Sequence, residues 1–247
     1  MPLVDSKDPS ADVNGKVRSH HFPGANTFLP LLRGDEKQLE AVKAFLRSNK
    51  LRVSIDPPNR DDALQTVHAL DEELRNFEEA PYFYYLGETA KISAAISNIG
   101  VGHDFPGGTT DINEAWVEFQ ALDAEGRLIF ISGEIGPDNF VDPGAYFYRS
   151  LPVDRHGNLV WKHDLFNMVG ESFRRVIKAG ESDIVSYDFV VPAWAKSPLV
   201  VTVTLKYRKL NERYARWALK DKYVKIPVVD IAWDSLIVPI KIRKNVK

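Results

Sequence analysis

From Gly87 onward the chain repeats one pattern: short segments of alternating apolar and polar residues, broken by turns containing Gly, Pro and Asp. A period of two places every second side chain on the same face, which suits a strand buried on one side. "ETAKISAAISN", "EAWVEFQALD", "RLIFISGEI", "AYFYRSLPVD", "NLVWKHDL", "SFRRVIKAG", "SDIVSYDFVVP" and "LVVTVTLKYRKL" follow one another with no helical pattern between them. "DAEGR", between the second and third segments, is a tight hairpin signal. "NERYARWALK" then reads as a helix and "SLIVPIKIR" as a last strand. Many short strands joined by hairpins predict a mainly β fold: an antiparallel immunoglobulin-like β-sandwich with a few peripheral helices.

The part before Gly87 reads differently. Residues 1–34 are expected to form an extended, turn-rich arm, because Pro2, Pro9, Pro23 and Pro30 interrupt regular structure and Gly15, Gly24 and Gly34 mark turns. Residues 35–86 form a helical and linker region packed on the sandwich of residues 87–247. Asp35 is a plausible N-cap for "DEKQLEAVKAFLRSN", whose Leu39, Val42, Phe45 and Leu46 make one apolar stripe. "LRVSI", Leu51 to Ile55, alternates like a strand. "DDALQTVHALDEELRNF" has helical spacing, with His68 close to its apolar stripe as a packing residue.

Charge and composition exclude several classes of function. The formal net charge of −2 gives no reason to expect nucleic-acid or anionic-membrane binding. The basic cluster of Lys241, Arg243, Lys244 and Lys247 reads as a solvated tail. The chain has no cysteine, which excludes disulfides, thiolate metal sites, a cysteine nucleophile and self-contained attachment of c-type haem. No apolar run reaches signal-peptide length within residues 1–20, and none reaches transmembrane length. Read literally from Met1, the chain stays in the cytoplasm and inserts in no membrane.

Three histidine-bearing stretches are the candidates for chemistry. "SHHFPGAN" sets His20 and His21 beside a Phe-Pro-Gly turn. A neutral imidazole there offers a lone pair to haem iron or another metal, or simply hydrogen-bonds to loop backbone. "SNIGVGHDFPGGTTD" sets His103 in a glycine-rich loop after a predicted strand, with self-bonding to backbone as the plainer alternative. A phosphate-loop reading is weak, since no helix start or Lys-Ser/Thr follows. His156 and His163, in "DRHGNLVWKHD", read as exposed hairpin residues. No nucleophile elbow, His-Glu-x-x-His or matched carboxylate pair is present. Glu114, Glu118 and Asp123 read as the solvent face of one strand. Trp116, Trp161, Trp194, Trp217 and Tyr207 read as core and rim.

Two of these stretches carry a resemblance. "MPLV-S-DP…V-SH-F-GANT-LP" resembles the segment that follows the last haem-attachment motif of bacterial multihaem c-type cytochromes, where Cys-x-x-Cys-His runs on into Met-Pro-Leu-Val. "N-G-GH-FPGG…W-E…D-G", from Asn98 to Gly126, resembles the C-terminal β-sandwich region of the same proteins, with "YDFVVP", "LKYRKLN" and "IPVVDIA" as later landmarks. The family commonly shows Phe-Pro-Thr-Gly where this chain has "FPGG", and often Arg at the position of His21.

The resemblance implies that Met1 stands directly after a haem-ligating histidine. It implies an exported, periplasmic or extracellular electron-transfer protein in which this chain caps a haem-bearing domain. His20 and His103 are then the candidate distal ligands of haem iron, with His21 as a neighbour that could replace His20. The haem c would be held covalently by a preceding or partner domain, because this chain lacks Cys-x-x-Cys-His. The expected partners are that haem-bearing domain or subunit and redox partner proteins. The leading expectation is therefore a non-catalytic accessory domain of a multihaem cytochrome. The alternatives are a stand-alone sandwich that binds a protein or carbohydrate partner, and a metal-dependent enzyme using His20, His21 and His103.

Overall fold

The computed structural model describes residues 3–19, 24–58 and 82–243. Two antiparallel sheets form the body. The first has strand order β11-β5-β3, built from β3 (Leu51–Asp56), β5 (Thr89–Asn98) and β11 (Ser182–Val190). The second has order β13-β12-β6-β7, built from β6 (Glu114–Leu122), β7 (Leu128–Ser132), β12 (Leu199–Arg208) and β13 (Val229–Val238). β8 (Tyr146–Tyr148) pairs with the first half of β6, and β7 pairs with its second half. The expected mainly β, antiparallel sandwich is observed.

The alternation read from the sequence is the alternation of burial. Ala90, Ile92, Ala94 and Ile96 of β5 and Val185, Tyr187 and Phe189 of β11 face Val117, Phe119 and Ala121 of β6 and Val201, Val203 and Leu205 of β12. Each pair of successive inward residues is two positions apart, so both sheets present one apolar face to a shared core. Phe119 lies against Tyr187 with ring centroids 4.4 Å apart, and Phe130 stacks on Phe189 at 5.3 Å. Such contacts add to the roughly 25 cal/mol gained per Å2 of apolar surface removed from water.

The hairpin signal "DAEGR" joins β6 to β7. The Asp123 carboxylate accepts from the backbone N–H groups of Glu125 and Arg127, each at 3.0 Å, and Gly126 takes the left-handed conformation. Strand β3 is the edge of the first sheet, paired with β5 from Leu51↔Asn98 to Asp56↔Ser93. The sandwich thus draws a strand from within residues 35–86. Two smaller pairs, β9 (Ser150–Val153) with β10 (Gly170–Arg174) and β14 (Ile240–Lys241) with β4 (Tyr84–Tyr85), lie beside the main sheets.

Helix α2 (Glu36–Leu46) begins where expected: the Asp35 side chain accepts from the Gln38 N–H at 2.9 Å. Leu39, Val42 and Leu46 are its buried stripe. The arm departs from an extended chain. Leu3–Asp5 (β1) pairs with Lys16–Arg18 (β2), and Phe28–Arg33 forms α1. Pro30 does not interrupt α1, because it lies in the first turn, where an N–H has no intrahelical acceptor to lose. The second helical candidate, including His68, lies outside the described residues, as do His20 and His21.

Other expectations are corrected. "NLVWKHDL" makes no strand beyond a single bridge between Val153 and Leu159. His163 there has a φ of 57°, a left-handed conformation that cannot continue a strand. The last long strand starts earlier than "SLIVPIKIR", at Val229, and ends at Val238 before Pro239. Helix α3 (Glu212–Leu219) is capped by Asn211, whose side chain accepts from the Tyr214 N–H at 2.8 Å.

Candidate functional site

The loop from Asn98 to Asn113 leaves β5 and returns at β6, so it lies at one end of the sandwich. Asn98 is fully buried and holds the loop from inside. Its amide donates to the carbonyls of His103 at 2.9 Å and Ile177 at 3.2 Å, and its oxygen accepts from the Val101 N–H at 3.0 Å. Phe105 is buried and exchanges both backbone hydrogen bonds with Ile177, at 2.8 and 2.7 Å. The loop is therefore pinned on either side of His103.

His103 itself is exposed. Its Nδ1 lies 2.7 Å from the carbonyl oxygen of Asp104. A carbonyl can only accept, so Nδ1 carries a proton, and in the neutral imidazole Nε2 is then the nitrogen with the lone pair. This is the self-bonding expected of a plain loop histidine, and it is also the arrangement that readies an imidazole to ligate through Nε2. Gly107 makes room for the ring, since a Cβ at that position would lie 2.8 Å from His103 Cε1.

A groove of about 480 Å3 opens beside His103, between this loop, the end of α2 and the turn at Gly24–Asn26. Phe45, Leu51, Phe105 and Tyr207 give it apolar walls, while Lys209 and Asn113 supply polar groups. Lys209 donates to Thr109 Oγ1 at 2.9 Å; burial lowers its pKa, and Asp111 partly offsets that. Asn113 is buried and donates to the Gly107 carbonyl at 3.2 Å, while its oxygen has no hydrogen-bond partner. The groove thus combines apolar walls with the Lys209 ammonium, and the exposed His103 imidazole stands at its mouth.

The structure brings His103 to this end of the fold; His20 and His21, placed just before Gly24, are not described. His156 is exposed in a turn, as expected. His163 is not simply exposed: its Nδ1 sits 2.9 Å from the Asp111 carboxylate, tying the β9–β10 loop to the Asn98–Asn113 loop. Among the described residues no three His, Cys, Asp or Glu side chains converge as a metal site.

The reading of Glu114 and Asp123 as solvent-facing is overturned. Asp123 is buried and paired with Arg127 at 2.6 Å, and the Arg127 bond holds its carboxyl well below the usual range. Glu114 is buried opposite Arg208 on β12, with Nε donating at 2.6 Å. Arg208 is completely inaccessible and also donates to the Asn139 carbonyl at 2.8 Å. Buried Glu212 accepts from Tyr223, Arg216 and Asn139 at 2.6–2.7 Å. Burial pushes the Glu114 carboxyl up despite Arg208; burial also acts on Glu212, but its three hydrogen bonds outweigh it and hold that carboxyl low.

The cause is a second layer over β6. Trp116, on the same strand, is buried under Val141 and Phe147, and its indole N–H donates to the Gly133 carbonyl at 2.9 Å. Gly133 has a φ of 81°, and a Cβ there would lie 2.4 Å from the Val117 oxygen. These contacts buttress the end of the fold that carries His103.

No protein-family model matches the chain, and no curated protein sequence does. Among solved structures, a penta-haem cytochrome c552 from Thermochromatium tepidum superposes with a TM-score of 0.51 over 79% of this chain, at 14% identity. The match covers 41% of that cytochrome, so the chain spans about two fifths of its length. A CARDB domain of the PF1109 protein from Pyrococcus furiosus gives a TM-score of 0.31 at 9% identity, over 77% of this chain and 87% of the domain. The sandwich is thus similar in fold to part of a multihaem cytochrome. Among the described residues no helix is long and apolar enough to cross a membrane.

Proposed function

We propose that the chain is a non-catalytic domain of an exported multihaem c-type cytochrome, which shields a haem and supplies His103 as an axial ligand. The observation that carries this reading is the His103 ring. It is exposed and fixed at Nδ1 by the Asp104 carbonyl, so that in its neutral form it offers the Nε2 lone pair beside a groove with apolar walls. The fold shared with part of a penta-haem cytochrome supports it. The donor set fits axial ligation. It does not fit covalent attachment, since there is no cysteine, so the haem must be bonded to another part of the polypeptide or to a partner.

In this role the chain's own groups act by position. Asn98 and the Phe105–Ile177 bridge fix the loop, and the Asp104 carbonyl holds the Nδ1 proton, so that the neutral ring presents Nε2. Phe45, Phe105 and Tyr207 exclude water, which with the axial ligand tunes the potential of a haem iron. His20 is the candidate for a second ligand on the sequence resemblance alone, with periplasmic or extracellular location and redox partner proteins as the accompanying expectations.

The test is intact mass and haem staining of the native protein captured from its source cells, followed by the absorption spectrum of His103→Ala. A haem-positive product much heavier than 27.9 kDa, losing one low-spin bis-histidine signature in the variant, is the expected result. A haem-free product, or an unchanged spectrum in the variant, overturns the reading.

A further inference from the structure

The loop between β9 and β10 exposes an unusual run of apolar side chains. Phe166 at its tip is 100% exposed, Leu165 61% and Val169 65%, with Leu159 exposed as well. Isolated surface apolar residues need no explanation, but several on one loop mark a surface that something covers. The base of the loop is not loose. Trp161 meets Trp217 of α3 edge-on with centroids 5.9 Å apart, and the Arg213 guanidinium lies 3.9 Å over the Trp161 ring. The Lys162 ammonium sits 5.1 Å from Trp161 and 5.4 Å from Trp217. Among the described residues Lys162 and Arg213 meet aromatic rings, and neither has a carboxylate within 4 Å.

The loop is tied to the His103 segment. His163 bonds to Asp111 and so anchors the loop to the segment that carries His103 and the groove. Asn211, the cap of α3, is held to the same segment, donating its N–H to the Ile112 carbonyl at 2.7 Å. The apolar tip, the aromatic base and His103 therefore share one end of the sandwich, whereas the hairpin at Asp123–Arg127 lies at the other.

We propose that the Leu165–Val169 tip, with Trp161 and Trp217 behind it, is the docking surface for the haem-bearing part of the protein, which meets Lys162 and Arg213 with carboxylates. This rests on the function proposed above. Continuity with the His103 loop favours this occupant over an unrelated partner, as do the two unpaired cations. A haem-bearing part that presents a macrocycle to His103 must also cover neighbouring surface, and an aromatic, arginine-bearing patch is the composition of an interface centre.

The test places a benzophenone amino acid at position 166 in the native protein, irradiates the cells and captures the domain. Mass spectrometry then finds the crosslinked peptide, and haem staining is run on the same sample. The expected result is a crosslink to a Cys-x-x-Cys-His-bearing polypeptide, reduced several-fold by Lys162→Glu, with none from the same probe at the exposed Leu128 near the opposite end. Haem-positive material in which position 166 reaches only a second copy, another protein or nothing overturns the docking surface and leaves the function standing. So does a crosslink that Lys162→Glu leaves unchanged. Haem-free material overturns both.

Discussion

Replacing Arg208 by Met isolates a buried ion pair in the fold. Arg208 is fully buried, bonded at 2.6 Å to Glu114 and at 2.8 Å to the Asn139 carbonyl. Methionine keeps much of the volume but leaves Glu114 without its closest countercharge and the carbonyl without that donor. Breaking a buried pair from one side costs about 3–5 kcal/mol. For a chain of this size that lowers Tm by about 6–20 °C. Burial already raises the Glu114 pKa; removing Arg208 raises it further, so the folded variant holds a proton that the unfolded chain releases. A raised folded pKa favours the folded state below it, so the penalty shrinks as pH falls from 8 toward 5, by at most about 1.4 kcal/mol per pH unit. Urea unfolding followed by tryptophan fluorescence measures this, and Trp116, whose ring lies 5.8 Å from the Arg208 guanidinium, is a local reporter. Adding Glu114→Gln should make the double variant more stable than the sum of the single losses by about 1–3 kcal/mol. A loss under about 1 kcal/mol, or one equal at pH 5 and pH 8, would refute the reasoning.

Three further outcomes follow from the same contacts. Gly107→Ala should displace the His103 ring and weaken its bond to Asp104, shifting the imidazole from a single tautomer toward a mixture in its 15N NMR spectrum. Asn98→Ala should cost about 1–3 kcal/mol and abolish hydrogen-exchange protection at the Val101 amide. Asp123 has a folded pKa held below its unfolded value, so it stabilises the fold above the unfolded pKa and loses that contribution as pH falls through the folded one. Asp123→Asn should therefore flatten the acid limb of the stability–pH profile, seen as a smaller difference in urea midpoint between pH 5 and pH 3.

The sequence by itself determined the layers of this protein. Strands such as β5, β6, β11 and β12 are legible because sheet faces alternate with a period of two, and that rule operates within nine or ten neighbouring residues. The Asp35 cap and the Asp123 hairpin are legible for the same reason, since their hydrogen bonds close within four residues. His103 and its glycine-rich loop also stand out locally, although the groove beside them does not. Tertiary structure alone decided the rest. Glu114 and Arg208 are 94 positions apart, and each looks like an ordinary polar residue at the end of a strand. Only the pairing of β6 with β12, and the covering of that end by the Gly133–Phe147 segment and α3, turns them into a buried pair. "NLVWKHDL" alternates well enough for a strand, yet Trp161 packs on α3 and His163 on Asp111, 52 positions away. Periodicity reports that a side chain has an apolar side; what meets that side is settled by contacts between elements that the local sequence does not encode.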